Sequence, residues 1–161
     1  MLFRSRRPDD PLAWLWFAHV KLVQEDKEEA LKAFRKANEL APDDARTWNG
    51  LFTYYFRTGQ PEEARKILQQ LITEVEMPPA EEAFVHAQGL ELLNEREAAA
   101  EQYATAARLA KDRYAIQMRV AQFFLRDDAS QAEEALRAAL ALQPESGAAR
   151  RMLAALLTDR G

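Results

Sequence analysis

Apolar residues recur every three or four positions along most of the chain, which is the spacing of one face of an α-helix. Short polar or proline-containing stretches interrupt the pattern at regular intervals. Because these connections are short, neighbouring helices should run antiparallel. The pattern predicts nine helices, near residues 11–23, 27–40, 44–58, 61–75, 79–93, 95–110, 113–126, 130–142 and 146–158.

Local signals mark the starts of several of these helices. Residues 26–29 and 130–133 have the capping-box pattern, in which an Asp or Ser caps the helix and a Glu follows three positions later. Pro11, Pro61 and Pro79 fit the first helical turn, where no backbone hydrogen bond is lost. These signals predict where the helices begin independently of the apolar spacing.

The sequence also repeats over a longer interval than the helical spacing. Residues 8–14 and 42–48 align, and both the Pro and the Trp recur after 34 residues. The second helix of each unit repeats a small–large–small pattern at spacings of four and three, as in Ala30, Phe34 and Ala37. Together, the recurring positions are Trp14, Ala30, Phe34, Ala37, Pro42, Trp48, Tyr55, Ala64, Ala99, Tyr103, Ala106, Ala132, Leu136, Ala139 and Pro144.

This series resembles the tetratricopeptide repeat, with its Trp, small residue, aromatic residue, Ala and closing Pro. The resemblance implies an all-α fold: a right-handed α-solenoid of antiparallel helix pairs, with about four tetratricopeptide repeats and a C-terminal helix. We assign the repeats to residues 11–44, 45–79, 80–112 and 113–146.

The two ends do not form complete repeats. Residues 1–10 are expected to be a leader or the remnant of a preceding repeat, because the phase of residues 8–10 is that of a repeat's tail. Residues 147–161 are expected to form a C-terminal capping helix, with the first half of a fifth repeat as the alternative.

Composition excludes several classes of function. The 161 residues include 30 Ala and 20 Leu against 14 Val, Ile and Thr together, which argues against a large β-sheet. Cys is absent, so there is no disulfide framework and no thiol nucleophile. The net charge of −4 and the lack of a basic block argue against nucleic acid as a partner. No apolar run is long enough to span a membrane.

Candidate catalytic and metal-binding residues are few. His19 and His86 have no carboxylate or hydroxyl partner at a spacing that suggests a triad. Paired aspartates at 9–10, 43–44 and 127–128 fall at helix junctions, where caps are the expected role. We therefore predict no catalytic residues, no metal site and no cofactor, and we expect that the chain is not an enzyme.

The resemblance also implies a binding surface. In tetratricopeptide arrays the first helices line a concave groove that binds extended peptides or partner helices, so the chain is expected to be a protein-protein interaction module or scaffold. The groove candidates mix aromatic, amide and charged side chains. They are Leu15, His19, Arg46, Asn49, Thr53, Phe56, Arg57, Phe84, Gln88, Glu91, Tyr114, Gln117 and Phe124.

Two subtypes of such arrays do not fit. Arrays that bind the C-terminal tails of chaperones use Lys and Asn on the first helices to hold a carboxylate. The corresponding positions here are Leu15, His19, Asn49 and Thr53, so the Lys is missing from both units. A chaperone tail is therefore not the expected partner. The pentatricopeptide type, which reads RNA, is disfavoured by the acidic charge.

Other interpretations of the sequence stay open. The chain could be a regulatory or substrate-docking segment of a larger multidomain enzyme or of a secretion or assembly machine. A third alternative is self-association through an uncapped end. The partner is unknown, and the cytoplasm is the default localisation only because no motif points elsewhere.

Overall fold

A computed structural model of the chain describes residues 9–158. Within this range there are nine α-helices and no strand, and each helix begins and ends within two residues of its predicted bounds. Residues 1–8 of the expected leader or repeat remnant (residues 1–10) and the last three residues of the chain lie outside the described range. The helices are α1 Pro11–Val23, α2 Lys27–Leu40, α3 Ala45–Arg57, α4 Pro61–Glu74, α5 Pro79–Leu92, α6 Arg96–Leu109, α7 Tyr114–Phe124, α8 Ala129–Leu142 and α9 Gly147–Thr158.

Aspartate side chains begin four of these helices. The carboxylates of Asp10, Asp26, Asp44 and Asp128 accept hydrogen bonds from backbone amides of the first turns of α1, α2, α3 and α8. Such caps satisfy amides that have no partner inside the helix. The second residue of each Asp–Asp pair therefore has the capping role that the sequence predicts.

One predicted cap is wrong. Ser130 is inside α8, and Asp128 accepts the amides of Ser130 and Gln131 at 3.0 Å each. An ionised carboxylate is a stronger acceptor than a hydroxyl for these amides, which explains why the cap lies two residues earlier.

Three tight turns join the first and second helices of successive pairs. Glu25, Gly59 and Asn94 each have a positive φ, of 62°, 74° and 62°. In each turn the following residue donates its amide to a carbonyl five positions back, for example Gln60 to Tyr55 at 2.9 Å. This is a typical way to end a helix and reverse the chain.

The described helices fall into two compact units. Unit 1 ends at Glu76 and contains α1 to α4, and unit 2 begins at Met77 and contains α5 to α9. In unit 1, α1 packs on α2 and α3 on α4, and α2 and α1 both contact α3. In unit 2, α5 packs on α6 and α7 on α8, while α6 contacts α7 and α9 contacts α8.

The small–large–small positions form the centre of each unit. Ala30, Phe34 and Ala37 on α2 have no exposed surface, as the sequence pattern predicts. In these three-residue sets the alanines let neighbouring helices approach closely, and the larger residue fills the space beside them. The other fully buried members of the pattern are Ala64, Ala99, Tyr103, Ala106, Ala132, Leu136 and Ala139.

The recurring spacing of Pro and Trp also has a structural basis in unit 1. The indole Nε1 of Trp48, which is buried, donates to the carbonyl of Pro42 at 2.7 Å. The hydroxyl of Thr47 donates to the carbonyl of Ala41 at 2.9 Å. These bonds attach the start of α3 to the turn before it, so the residues of α3 that face away from the core are held in a defined orientation.

Candidate functional site

One side of α3 in unit 1 presents polar and aromatic side chains. Arg46, Asn49, Thr53, Phe56 and Arg57 recur at helical spacing, and we call this set the α3 face. Arg46, Asn49, Phe56 and Arg57 are exposed, and Thr53 is half-buried. The ring of Phe56 is 39% exposed although apolar. All five were groove candidates, and the structure brings them together on one helix.

The guanidinium of Arg46 is already occupied within the chain. It contacts both carboxylate oxygens of Asp44, with its Nη2 at 2.6 Å from Oδ2 and its Nε at 2.9 Å from Oδ1. The Arg46 hydrogen bonds hold the pKa of Asp44 below its usual range, against a smaller opposing effect of burial. Arg46 therefore supports the cap of α3, and its availability to a partner is reduced.

Three other members of the face have unused hydrogen-bonding groups. Within residues 9–158, no hydrogen bond or ion pair engages the side chains of Asn49, Thr53 or Arg57. An Asn amide both donates and accepts, and a guanidinium has five N–H donors. These groups can bond to a peptide backbone or to an acidic side chain without breaking an internal contact.

His19 of α1 lies beside this surface. Its ring meets Phe34 edge-on at 5.0 Å between centroids. Burial, and then the positive charge of Arg57, lower the pKa of His19 below its ordinary value. The imidazole is therefore neutral at pH 7, and no hydrogen bond orients it among the described residues. This arrangement suits a packing or contact role, because a catalytic His needs an orienting partner.

The candidates of unit 2 lie in a bonded network. Glu91 of α5 accepts from the hydroxyl of Tyr103 at 2.6 Å and from the guanidinium of Arg119 at 2.5 Å. Burial raises the pKa of Glu91, but the bonds from Arg119 and Tyr103 outweigh it and leave this pKa below its usual range. Burial and the bond to Glu91 raise the pKa of the Tyr103 hydroxyl. Glu91 therefore joins three helices and is not a free acidic group.

The remaining unit 2 candidates are partly covered. Phe84 packs edge-on against Tyr103 with 6.2 Å between ring centroids, and Gln88 is half-buried. The hydroxyl of Tyr114 is 2.5 Å from that of Ser146, so this candidate also has a partner inside the chain. Unit 2 thus presents fewer free polar groups from its first helices than unit 1 does.

Three groove candidates are buried, which corrects their assignment. Leu15 is 8% exposed and packs where α1 meets Gly50 of α3. Gln117 is 2% exposed, and its amide donates to the carbonyls of Ala107 and Ala110 at 2.8 and 3.1 Å. Phe124 is 3% exposed and packs against Phe123. A single-residue error in register turns a helical side chain by about 100°, which is enough to exchange groove and core.

The part of the chain that the structure describes was compared with the requirements of a metal site. No group of three His, Asp or Glu side chains within residues 9–158 could hold a metal ion. Burial lowers the pKa of His86, and the nearby carboxylates of Glu82 and Glu95 oppose this only in part. No helix in the described range has the length and apolarity needed to cross a membrane.

Sequence reasoning missed one residue that organises unit 2. Arg119 bonds to Glu91 and lies over the ring of Tyr103, at 5.4 Å from its centroid. Its signal in the sequence is weak, because Glu91 and Arg119 are distant in the chain and no local spacing pairs them. The sequence does show that Arg119 is the only charged residue of α7, and this could have indicated a partner on another helix.

These observations define an α-helical repeat protein, built from antiparallel pairs whose second helices carry the small–large–small core. The Tetratricopeptide repeat family model matches residues 24–77. The resemblance to tetratricopeptide repeats is thereby confirmed, and the fold is that of tetratricopeptide repeat proteins. A search of curated protein sequences found no match.

Solved structures with a similar fold come from several proteins. TTC0263, a thermophilic TPR protein of Thermus thermophilus, is 21% identical with a TM-score of 0.68, over 96% of this chain and 85% of that one. PilF of Pseudomonas aeruginosa is 19% identical with a TM-score of 0.67, over 96% and 70%. YrrB, a TPR protein with an unusual peptide-binding site, is 16% identical with a TM-score of 0.59, over 98% and 81%. At these identities the similarity establishes the fold. Folds of this kind are typical of protein-interaction scaffolds.

Proposed function

We propose that this chain is a non-catalytic protein-protein interaction module that binds a peptide or a partner helix on the α3 face, beside His19. The observation that carries the proposal is the exposure of Asn49 and Arg57 with no internal partner among the described residues, next to the exposed ring of Phe56. An apolar ring flanked by free polar groups is typical of the energetic centre of a protein interface.

The chemistry of the face suits an extended or helical peptide. The amide of Asn49 can bond to a peptide backbone, and Phe56 offers an apolar surface for one side chain. Arg57 can form paired hydrogen bonds with a carboxylate. The similar fold of YrrB, described as having a peptide-binding site, supports peptide as the ligand class.

The first helices of unit 2 are proposed as a secondary contact region. Phe84 and Gln88 are half-buried, and the Gln88 amide makes no hydrogen bond to the described residues, so both side chains can add contacts. Glu91 and Tyr114 are bonded within the chain and are proposed to shape this region without supplying free groups.

Affinity capture with matched variants tests the proposal. The full chain, the variant Asn49→Ala with Arg57→Ala, and the control Lys66→Ala with Gln69→Ala are immobilised and exposed to extract from the source cell. The control residues are exposed on α4, away from the α3 face. We expect one or more proteins to be recovered by the wild type and the control but reduced at least tenfold by the α3-face variant.

Thermal melts and a second variant keep the result interpretable. Both double variants should melt close to the wild type, because exposed side chains away from buried networks contribute little to stability. Equal recovery by all three chains would contradict the proposal. A loss of recovery together with a much lower Tm would be resolved with Phe56→Ala, which removes one exposed ring and leaves the charges in place.

The alternative function is a docking or regulatory segment of a larger protein. It is favoured by the similarity to the crystal structure of the APC/C hetero-tetramer Cut9-Hcn1, at 17% identity and a TM-score of 0.61, where 92% of this chain corresponds to 30% of that one. An antibody to this chain, used on extract from the source cell, distinguishes the two. A band near 18.4 kDa favours the independent module, and a much larger band favours the alternative.

A further inference from the structure

A cleft opens between α6 and α8 in unit 2, with α7 as its floor. It has a volume of about 570 Å³, within the range of roughly 300–1,000 Å³ that is usual for ligand sites. Ala104 and Ala107 line one wall, Ala135 and Ala138 line the other, and Val120 contributes to the floor. We call this feature the alanine cleft. It shares no residue with the α3 face.

The cleft exists because these positions carry short side chains. When the repeats are aligned on their buried alanines, Ala104 and Ala107 correspond to Arg35 and Asn38 of α2. In unit 1, Arg35 reaches the hydroxyl of Tyr55 at 3.1 Å. Asn38 reaches the hydroxyl of Thr47 at 3.0 Å in the same way. Side chains that extend from the second helix to α3 in unit 1 are therefore absent from the same positions in unit 2.

The opposite wall shows the same difference. The alignment of Ala64 with Ala132 places Ala135 at the position of Ile67 and Ala138 at the position of Gln70. Both walls of the cleft therefore carry shorter side chains than the equivalent positions in unit 1. Short side chains on two separate helices, at positions that face the same space, leave a continuous apolar cleft between these helices.

The floor of the cleft offers no free polar group. Gln117 lines it, but its amide donates to the carbonyls of Ala107 and Ala110. No buried side-chain polar atom in the described range lacks a partner. An occupant therefore meets mainly the side chains of the alanines, Val120 and Leu142, while the Gln131 amide on the α8 wall donates to Asp128 at 3.0 Å. Bulky apolar groups are the chemistry that fills such a cleft.

The rim of the cleft carries opposite charges. Arg108 and Lys111 are exposed at the end where α6 terminates, and Glu134 is exposed near the beginning of α8. None of the three has an ion-pair partner within residues 9–158. Because α6 and α8 are both joined to α7 by short turns, they run in the same direction. The positive charge therefore lies at the C-terminal end of the cleft and the negative charge towards its N-terminal end.

We infer that the alanine cleft binds an amphipathic partner helix that lies antiparallel to α6 and α8. Its bulky apolar residues, at the i, i+3 or i+4, and i+7 spacing, enter between the two walls. Acidic residues in its first turn meet Arg108 and Lys111, and a basic residue near its end meets Glu134. This orientation also places the positive end of the partner's helix dipole beside the negative ends of α6 and α8.

A peptide-display selection with the full chain tests the inference. A library of helical peptides is first depleted on the variant Ala104→Arg with Ala107→Asn, which carries the unit 1 residues and fills the cleft. The remaining peptides are then selected on the wild type. We expect the recovered peptides to have large apolar residues on one face and Asp or Glu in the first turn.

Charge variants with a matched control complete the experiment. Affinities of the recovered peptides should fall at least tenfold on Arg108→Gln with Lys111→Gln. They should be unchanged on Arg126→Gln with Arg151→Gln, which removes two exposed positive charges of unit 2 outside the cleft. Far-UV circular dichroism checks that every variant keeps its helix content.

Three outcomes would overturn the inference. The first is that no peptide survives depletion, or that the survivors bind the charge variant as tightly as the wild type. The second is that the recovered peptides depend on Asn49 and Arg57 and not on the cleft, which would favour the proposed function alone. The third is a concentration-dependent dimer that the filled variant abolishes, which would assign the cleft to a second copy of the chain.

Discussion

Unit 1 and unit 2 differ in the polar contacts that join their successive helix pairs. In unit 1, α3 approaches α1 and α2 so closely that a Cβ at Gly50 would lie 2.8 Å from both Leu15 Cδ2 and Phe34 Cδ1. The polar contacts there include Asn38 with Thr47 and the guanidinium of Arg35 with the hydroxyl of Tyr55, and neither contact is an ion pair. In unit 2, α7 is held to α5 through the ion pair of Glu91 with Arg119 and by other charged groups.

The other ion pairs of unit 2 extend this contrast. Arg113 pairs with Glu81 at 3.1 Å, and Arg96 pairs with Asp127 while lying 4.5 Å from the ring centroid of Phe123. Shape-based packing is insensitive to salt, whereas exposed ion pairs weaken as salt screens them. The same repeat architecture is therefore compatible with two kinds of interface, which should respond differently to mutation and to solvent.

The largest expected effect is the loss of Phe34 in unit 1. Phe34 has no exposed surface, so Phe34→Ala removes a ring from a packed site and should cost about 3–5 kcal/mol in the free energy of unfolding. All three tryptophans lie in unit 1, so urea unfolding followed by Trp fluorescence reports on this unit. The control Phe56→Ala removes a ring that is 39% exposed and should cost less than half as much. Equal costs would contradict the assigned core.

Gly50→Ala should have the next largest effect. Alanine normally favours a helix over glycine by about 1 kcal/mol, but here its methyl group would meet Leu15 and Phe34 at 2.8 Å. Overpacking of this kind typically costs about 1–3 kcal/mol, so the variant should be less stable than the wild type. At Gly147 the same methyl group would meet only the flexible end of Arg151, at 3.2 Å. Gly147→Ala should therefore be neutral or slightly stabilising, and a stabilising Gly50→Ala would disprove the close approach.

Glu91→Gln should reveal the ionic character of unit 2. The change leaves Arg119 without its charged partner and should cost about 1 kcal/mol, because the pair is nearly a third exposed. The cost should shrink between about 0.05 M and about 1 M NaCl as the ion pair is screened. Hydrogen exchange of unit 2 amides gives the measurement. Asn38→Ala in unit 1 is the neutral comparison, and its cost should not depend on salt; equal salt dependence in both variants would remove the distinction between the interfaces.

The smallest expected effect is the pH response of His19. Burial, and then Arg57, lower its pKa, so the folded chain binds a proton less readily than the unfolded chain does. The corresponding stability is present above the ordinary His value of about 6.5 and is lost as the pH falls through the lowered pKa. The effect on the free energy of unfolding should be small, since the side chain is largely screened by solvent.

His19→Gln provides the test of that response. It should reduce the destabilisation of unit 1 seen by Trp fluorescence between pH 7 and pH 5, and His86→Gln in unit 2 should leave this signal unchanged. The pKa of Glu91 is also lowered in the folded chain, so its contribution to stability is likewise lost as the pH falls, but over a lower pH range. This contribution is complete above the ordinary Glu pKa and is lost only as the pH falls further. A pH response of unit 1 that persists in His19→Gln would assign it to other groups.

Much of the fold was predictable from the sequence because its determinants are local. Pro61 marks a helix start because the first turn needs no backbone N–H from it, and Asp44 does so by accepting an amide hydrogen bond within one turn. Ala30 and Phe34 indicate the core through the helical period. The candidate site was predictable only in part. Asn49 and Arg57 are exposed, but Gln117 is buried, because a weak register in α7 did not distinguish adjacent positions.

The sequence by itself determined the helices, their antiparallel pairing and the positions of close contact, since each of these follows from spacing along a few turns. Only the tertiary structure decided which polar groups are free. Arg119 and Glu91 meet through packing between separate helix pairs, and the alanine cleft exists only where α6 and α8 face each other. Contacts between distant segments depend on distances that no local pattern records. In this protein those contacts distinguish the α2–α3 interface, which Arg35 and Asn38 bridge without an ion pair, from the ion-paired interface of unit 2.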